Sequence, residues 1–599
     1  MPAPIEEYAI IGDCRTTALL DREGSIDWYC PPRFDSASVF GALLGGPDQG
    51  RWLLRPDDPD ALSTRRYDGD TFTLVTTWTC IDGEVEVIEL MPIGSGAHDA
   101  RSDVIRRVRG IRGAVTMRQD LRVRFGYAAT LPWMRQLGTH EAPALVAVAG
   151  PDALVLRGPH LIARGRSHRG TFTVDAGESV DLRLTWFPSH LDLPEPLDVD
   201  EAIEATRTWW TDWIAGAAML GAYDDAVRRS LLVLRLLTHE DTGGIVAAAT
   251  TSLPEDFGGS RNWDYRYVWL RDASLTLQAL LRHGLVAEAE HWRGWLVRAV
   301  AGDPADVQIM YGVAGERRLP EWEAGDLPGY GGAAPVRIGN AASEQFQADV
   351  FGEVLIALDA VRHDGSNDDP FSWPLQRALL GEAERHLDRP DSGIWEIRGA
   401  EQYFTHSRVM LWAAFDRAVS AVELDGRDGP VELWRDIRET LAERIELAGF
   451  DAGLGSYVQA EGIAEPDAAL LQLPQVGYVA ADDPRMLGTV AHLERTLMRD
   501  GLLRRYRTET DVDGVEGDEN PFVACSFWLV EQYARSGRLD DADRLMRRLL
   551  GYANDLGLLA EQVDPSSGRQ AGNTPQALSH LALVRAADAI ADARRRRTT

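Results

Sequence analysis

Ser230-Leu-Leu-Val-Leu-Arg-Leu-Leu237 is apolar around most of a helical turn and carries no Gly or Pro to interrupt it. A segment of this kind reads as a helix buried on nearly every side. Phe72-Thr-Leu-Val-Thr-Thr-Trp-Thr79 has the opposite character: it is rich in β-branched and aromatic residues, a turn follows at Asp82-Gly83, and Glu84-Val-Glu-Val87 then alternates. That is a strand, a turn and a half-buried partner strand. The change from one pattern to the other falls near residue 200. Before it, similar runs at 104–111, 115–125, 144–156 and 171–186 are separated by short turn signals, which predicts an antiparallel β-sandwich. After it, residues 202–215, with Trp209, Trp210 and Trp213, read as a connecting helix. Helical stretches follow at roughly 225–240, 274–284, 286–301, 344–364, 373–388, 404–422, 430–448, 466–473, 484–499, 522–536, 538–553 and 574–595. Short hairpin links between such stretches predict a ring of six helical hairpins, an (α/α)6 barrel. A solenoid would show a fixed sequence period, and none is found. The expected division is a β-sandwich domain at 1–198, a linker helix at 199–220 and a barrel catalytic domain at 221–599. The longest connections, 241–273, 302–343, 389–403, 500–521 and 554–573, are where function is expected.

The 599 residues include 62 arginines and no lysine, against 93 acidic residues, for a formal net charge of −31. Without lysine there is no P-loop, no Schiff-base and no kinase-strand chemistry. So acidic a chain repels phosphate backbones and anionic lipid, so neither nucleic acid nor a membrane is an expected partner. A small neutral oligosaccharide suffers no such repulsion, and a homo-oligomer is left open. The four cysteines (Cys14, Cys30, Cys80, Cys525) have neither zinc-ribbon nor disulfide-scaffold spacing, and no H-E-x-x-H or EF-hand pattern occurs. No metal and no cofactor are expected. The N-terminus lacks a basic segment followed by a long apolar run, and no apolar stretch reaches membrane-spanning length, so a cytoplasmic location is expected.

Unusual residues gather in the long connections. Asn262-Trp-Asp-Tyr-Arg-Tyr-Val-Trp-Leu-Arg-Asp272 packs four aromatics, two arginines and two acidic groups into eleven residues. Aromatic faces stack on sugar rings, and Asp and Arg pair with vicinal hydroxyls; the same residues could equally form a buried salt bridge at a helix start. Gly329–Asn340 is a Gly-rich loop without the dinucleotide pattern, which suits a pocket wall. In Ser392-Gly-Ile-Trp-Glu-Ile-Arg-Gly399, Glu396 follows Trp395. A carboxyl against an aromatic, partly dry wall is held in its neutral form and can act as an acid. Leu559-Ala-Glu-Gln-Val-Asp-Pro565 offers Glu561. Spacing alone does not make these two glutamates partners.

Their order along the chain resembles glycoside hydrolase family 15, which includes glucoamylases, glucodextranases and bacterial trehalases. The resemblance runs over nearly the whole chain. It is carried by Ile11–Cys14, Gly24–Cys30 and Arg33–Ser36 in the first half. In the second it is carried by Thr250–Glu255, Asn262–Asp272, Pro335–Asn340, Gly393–Arg398, Phe404–Arg408, Cys525–Trp528, Glu561–Pro565 and Gly572–Gln576. It implies a β-sandwich followed by an (α/α)6 barrel, and an inverting hydrolase that frees β-glucose from the non-reducing end of α-glucosides. It places the general acid at Glu396 and the general base at Glu561. It implies that Tyr265, Trp269, Arg271 and Asp272 line the glucose pocket and matches Arg505-Tyr506 to the Arg-Tyr step of fungal glucoamylases. Arg337 and Trp395, in matching segments, complete the substrate-binding candidates. An inverting pair stands about 6.5–9.5 Å apart, with room for the water. His406, at a helix start after the acid loop, is expected to cap or support rather than to react.

Three positions bear on the bond cleaved. Ile397 follows the acid where fungal members have a second Glu. Gln562 follows the base where mycobacterial trehalases have an acidic residue. Glu519-Asn-Pro-Phe522 resembles the glucoamylase Asn-Pro step. These favour malto- or isomalto-oligosaccharides, with trehalose as the alternative. A phosphorylase on a similar barrel would lack the base carboxylate, and a non-catalytic glycan-binding protein would have lost one of the two glutamates. The aromatic stretch 28–35 is a candidate to reach the pocket mouth; otherwise the β-domain buttresses the barrel.

Overall fold

Strand Ser102–Arg122 runs through the N-terminal half as one 21-residue element. Its first part pairs with Gly83–Leu90 and Ser179–Pro188, and its second with Arg51–Pro56 and Ser167–Asp175, all antiparallel. Glycines sit at the change-over. A Cβ at Gly110 would lie 2.1 Å from the Asp175 carbonyl oxygen, and Gly113 has φ 66° with the Asp82 carbonyl 2.0 Å from its own Cβ position. Only glycine lets the strand leave one layer and enter the other there. In Gly83–Leu90, Val85 and Val87 face the core while Glu84 and Glu86 face out, the alternation read from sequence. The computed structural model describes residues 1–94, 100–139, 142–363, 371–510, 513–515 and 517–598.

Helix α1 (Val199–Ala215) starts at Asp198, whose carboxylate accepts the Glu201 N–H at 3.1 Å. Trp210, fully buried, packs edge-on to Phe72 at 5.1 Å and fixes α1 to the β domain. The remaining helices are α2 (Asp224–Leu236), α3 (Leu270–Arg282), α4 (Val286–Ala299), α5 (Asp349–His363), α6 (Ser372–Arg385), α7 (Thr405–Glu423), α8 (Val431–Arg444), α9 (Pro484–Thr496), α10 (Val523–Arg535), α11 (Leu539–Leu550) and α12 (Ala577–Thr598). An inner ring closes through α3, α5, α7, the short turn Ala468–Gln472, α10 and α12, and α12 returns to α3. Outside each inner member lies its partner: α4, α6, α8, α9, α11 and α2. The antiparallel β domain is thus followed by an (α/α)6 barrel. Composition separates the rings. Every residue of α10 from Val523 to Ala534 is buried, whereas α11 buries only the stripe Leu539, Ala542, Leu545, Met546 and Leu549.

One inner position differs from expectation. Residues 466–473 were expected to be helical, and Ala468–Gln472 forms a single 3-10 turn instead. Pro466 and Pro474 bracket it, and Pro474 has no N–H to continue a ladder.

The inner helices begin at one end of the barrel, where the long connections converge. The β domain packs behind that end. The Trp28 indole donates to the Ala249 carbonyl at 3.1 Å. Arg266, wholly buried, is held by Asp264 and donates to the Ser36 carbonyl at 2.8 Å and the Tyr127 hydroxyl at 2.9 Å. The stretch 28–35 therefore supports the connection before α3 from behind and contributes nothing to the pocket lining. Arg65 grips Asp555 with two bonds, at 3.0 and 2.7 Å, and Arg569 reaches Glu6 at 3.2 Å, so the late connection 551–576 is also tied to the β domain.

Candidate active site

Five connections supply one pocket: 237–269, 300–348, 386–404, 497–522 and 551–576. Its cavity volume is about 80 Å³. A water needs roughly 10–15 Å³ on that measure, so the pocket suits a small polar ligand. Trp263, Tyr265, Trp269, Trp395, Tyr506 and Trp528 form aromatic walls, and the charged groups between them are Arg261, Arg271, Asp272, Glu396, Arg398, Arg505 and Asp513.

The segment 262–272 accounts for both readings of its composition. It is extended up to Trp269, so neighbours face opposite ways. Trp263 and Tyr265 face the pocket, while Asp264 and Arg266 form the buried salt bridge at the domain interface. Helix α3 then places Arg271 and Asp272 in its first turn, at the end of a helix whose dipole favours an acidic group. Arg271 donates through Nε to Asp272 at 2.8 Å and through Nη1 to the Ile394 carbonyl at 2.8 Å. The second bond ties α3 to the loop that carries Glu396.

Glu396 lies at φ 58°, in the left-handed region, in a tight turn where its N–H bonds the Gly393 carbonyl at 3.1 Å. A side chain other than glycine there costs about 1–3 kcal/mol, and such strain concentrates at functional positions. Its Oε1 accepts the Trp269 indole N–H at 2.5 Å, with an Arg271 nitrogen at 3.9 Å. Burial raises its pKa, while Arg271 and the Trp269 bond oppose the rise. Trp395 donates to Asp467 at 2.8 Å, which fixes the ring beside the carboxyl.

Glu561 is 1% exposed and joins the pocket through Tyr265, whose hydroxyl donates to its Oε1 at 2.8 Å; the Asn573 N–H reaches Oε2 at 3.4 Å. Burial first, and the Glu255 carboxylate second, push its pKa up to about 8; Arg505, Tyr265 and Asn573 act the other way. Arg505 donates to Glu519 at 2.9 Å through Nε and to Glu255 at 2.9 Å through Nη2. The site thus offers two carboxyl groups from different connections, Glu396 half-buried in the lining and Glu561 buried behind it, each held by an aromatic donor.

The structure brings Tyr265, Trp269, Arg271, Asp272, Trp395, Glu396 and Arg505 together in the lining, with Glu561 one hydrogen bond behind it. Arg337 stays outside. Its guanidinium donates to the carbonyls of Ser260 at 2.7 Å and Asn262 at 3.1 Å, faces Glu321 at 3.6 Å and lies 4.5 Å from the Trp263 ring, so it braces that wall from outside. His406 is buried at the start of α7 with no hydrogen bond on either ring nitrogen. Burial and nearby Arg271 lower its pKa to about 3, so it is neutral. Arg261, Trp263, Arg398, Asp513 and Trp528 were not among the expected site residues. Trp263 and Trp528 lay within matching segments, whereas Arg261 and Asp513, paired at 2.7 Å, come together only in the fold. Among the described residues, Asp359, His363 and Asp425 hold their ligand atoms within 4.8 Å of one another, as a metal site would. They stand at the other end of α5, and Arg362 is bonded to both carboxylates.

The family model for glycosyl hydrolases family 15 matches residues 221–540 and 538–588, and a trehalase-like N-terminal model matches residues 1–161. The chain belongs to glycoside hydrolase family 15. It is a glycoside hydrolase with that family's N-terminal domain. A trehalase of Mycolicibacterium smegmatis is 36% identical over 616 residues, covering 97% of this chain and 90% of that protein. A trehalase of Thermoplasma volcanium is 31% identical, covering 99% and 95%. Among solved structures, a bacterial glucoamylase complexed with acarbose superposes with TM-score 0.73 at 14% identity, covering 98% of this chain and 94% of that one; at that identity it shows the fold. No described helix is long and apolar enough to cross a membrane.

Proposed function

We propose that this family 15 member hydrolyses α,α-trehalose with inversion, using Glu396 as general acid and Glu561 as general base. The observation that carries the hydrolysis is the pair of carboxyls at one pocket, Glu396 in its lining and Glu561 one hydrogen bond behind it, each fixed by its own aromatic donor. Trehalose, the alternative in the sequence reading, is supported over longer glucans by the trehalases matched along almost the full chain and by the trehalase-like N-terminal model. Pocket size agrees. Arg398, in the lining, is bonded to Glu321 at 2.8 Å and so joins two of the connections that form the pocket.

In this reading Asp272 and Arg271 hold hydroxyls of the first glucose. Glu396 gives its proton to the glycosidic oxygen as the bond to the anomeric carbon breaks. Water attacks that carbon from the other face and gives a proton to Glu561. One ring leaves as β-glucose, and the other keeps its configuration as α-glucose. NMR of the anomers during early turnover tests this. Equal α and β products from trehalose are expected, with little release from maltose or isomaltose. α-Glucose alone would overturn inversion. A preference for maltose, isomaltose or their oligomers would favour the second reading, which rests on the Asn520-Pro521 step and the Ile397 position.

A further inference from the structure

A base must be ionised to accept a proton, yet Glu561 shares its buried surroundings with two more carboxyls. Glu255 and Glu519 are each 1% exposed, and both contact Arg505. Arg261 is already paired with Asp513, and Tyr506 donates to Asp513 at 2.8 Å. Three carboxylates against one guanidinium, away from water, leave an uncompensated charge that burial makes costly, so the cluster retains a proton.

The hydrogen bonds indicate where that proton rests. Glu519 takes two bonds from Arg505 on Oε2, while its Oε1 is buried with no partner. Glu561 accepts from Tyr265 on one oxygen and from Asn573 on the other. Protonating Glu561 would cost one of its donated bonds, and neutralising Glu519 would weaken two charge-assisted bonds from Arg505. Glu255 accepts only one Arg505 bond, on Oε2, from the nitrogen that also serves Glu519, and its Oε1 is buried with no partner. We propose that Glu255 is a positioning residue that carries the cluster's proton and so keeps Glu561 ionised as the base. The placement is built in. The Gly572 N–H bonds the Pro254 carbonyl at 2.8 Å, Asn520 Nδ2 bonds the Glu255 carbonyl at 2.8 Å, and the Asn520 N–H bonds Gln562 at 2.9 Å. The chain at Pro254 and Glu255 is thereby joined, directly and through Asn520, to the connection that carries Glu561. The groups facing Glu255 are Arg505, Glu519, Asp513, Arg261 and Glu561. Burial raises the pKa of both Glu255 and Glu561, so the two titrate as a set.

The inference rests on reading Glu561 as the base, and two variants at 255 test it. Glu255→Ala frees Arg505 and is expected to lower kcat/KM by about 10²-fold. Glu255→Gln, which has the shape of a neutral Glu, is expected to recover most of that loss. Stability against pH gives a reading independent of activity. A proton held in the fold and released on unfolding makes the folding constant fall with rising pH by up to about tenfold per unit. Both variants should lack that one-proton dependence above the carboxylate range. The inference is overturned if Glu255→Gln is as inactive as Glu255→Ala, or if the pH dependence of stability is the same as in the parent. Glu561→Gln, run in parallel, separates the two readings. If it stays active, the base assignment fails, whatever the variants at 255 do to stability.

Discussion

Glu396 has three features of a working acid: a left-handed backbone at φ 58°, a short bond from Trp269 and a pKa raised by burial. Glu561 has the matching support from Tyr265. Replacing either carboxyl with its amide keeps the shape and removes the proton transfer. Glu396→Gln and Glu561→Gln are each expected to lower kcat on trehalose by at least about 10²-fold with the fold intact, as steady-state kinetics and circular dichroism would show. Near-normal turnover in either would sink that residue's role. The residues that touch the pocket were largely legible in sequence, because aromatics and charges at a connection have few structural uses. Those acting one layer behind were not. Glu255 stood in a matching segment, but its meaning depends on Arg505, 250 residues away. Arg337 carried the right chemistry for a sugar site, yet the fold spends it on two carbonyls and the back of Trp263.

At the scale of elements, the late connection 551–576 shows how backbone geometry serves one side chain. Gln562–Asp564 and Arg569–Ala571 form a two-stranded hairpin, and Gly572 follows at φ 74°. A Cβ at Gly572 would lie 2.5 Å from Glu561 Oε2 and 2.7 Å from Glu561 Cβ, so the carboxyl occupies the space that any other residue would fill. Gly572→Ala is expected to displace Glu561 and lower kcat by about 10-fold or more, with a destabilisation of roughly 1–3 kcal/mol. Urea unfolding alongside kinetics would measure both, and full activity would show that the carboxyl position is not critical. Such a constraint is invisible in one sequence, where Gly572 resembles any turn glycine. The helices were far easier to read, since an inner one such as α10 is apolar nearly all round and an outer one such as α11 carries a single stripe, although α2, also outside, is buried from Ser230 to Leu236. The exception, 466–473, failed because apolar content says nothing of the prolines that limit it to one turn.

For the whole molecule, burial outweighs compensation at several carboxyl groups. Burial pushes Asp21, Asp391 and Asp467 up to about 7 and Glu353 up to about 8, while Asp13 and Asp349 reach about 6. A carboxyl raised in the fold keeps a proton that the unfolded chain has released, so its stability contribution is lost as pH climbs toward the folded value. Buried His406 and His580, lowered to about 3, and His239, lowered to about 4, act in the opposite sense, but only below the ordinary histidine range. Between about pH 6.5 and 8.5 the raised carboxyls are joined by His283, which Asp588 lifts against burial, and toward the upper end by the buried thiols, all acting in the same direction. Tm is expected to fall across that interval. The surface, with its net charge of −31, has largely titrated before it begins, and its repulsion is screened by salt, whereas the buried groups are not. Scanning calorimetry repeated in about 0.5 M salt separates the two contributions. If the decline persists, it comes from buried groups that hold protons in the fold. If the decline vanishes with salt, the buried carboxyls are ionised and paired, and the neutral Glu255 inferred above loses its setting.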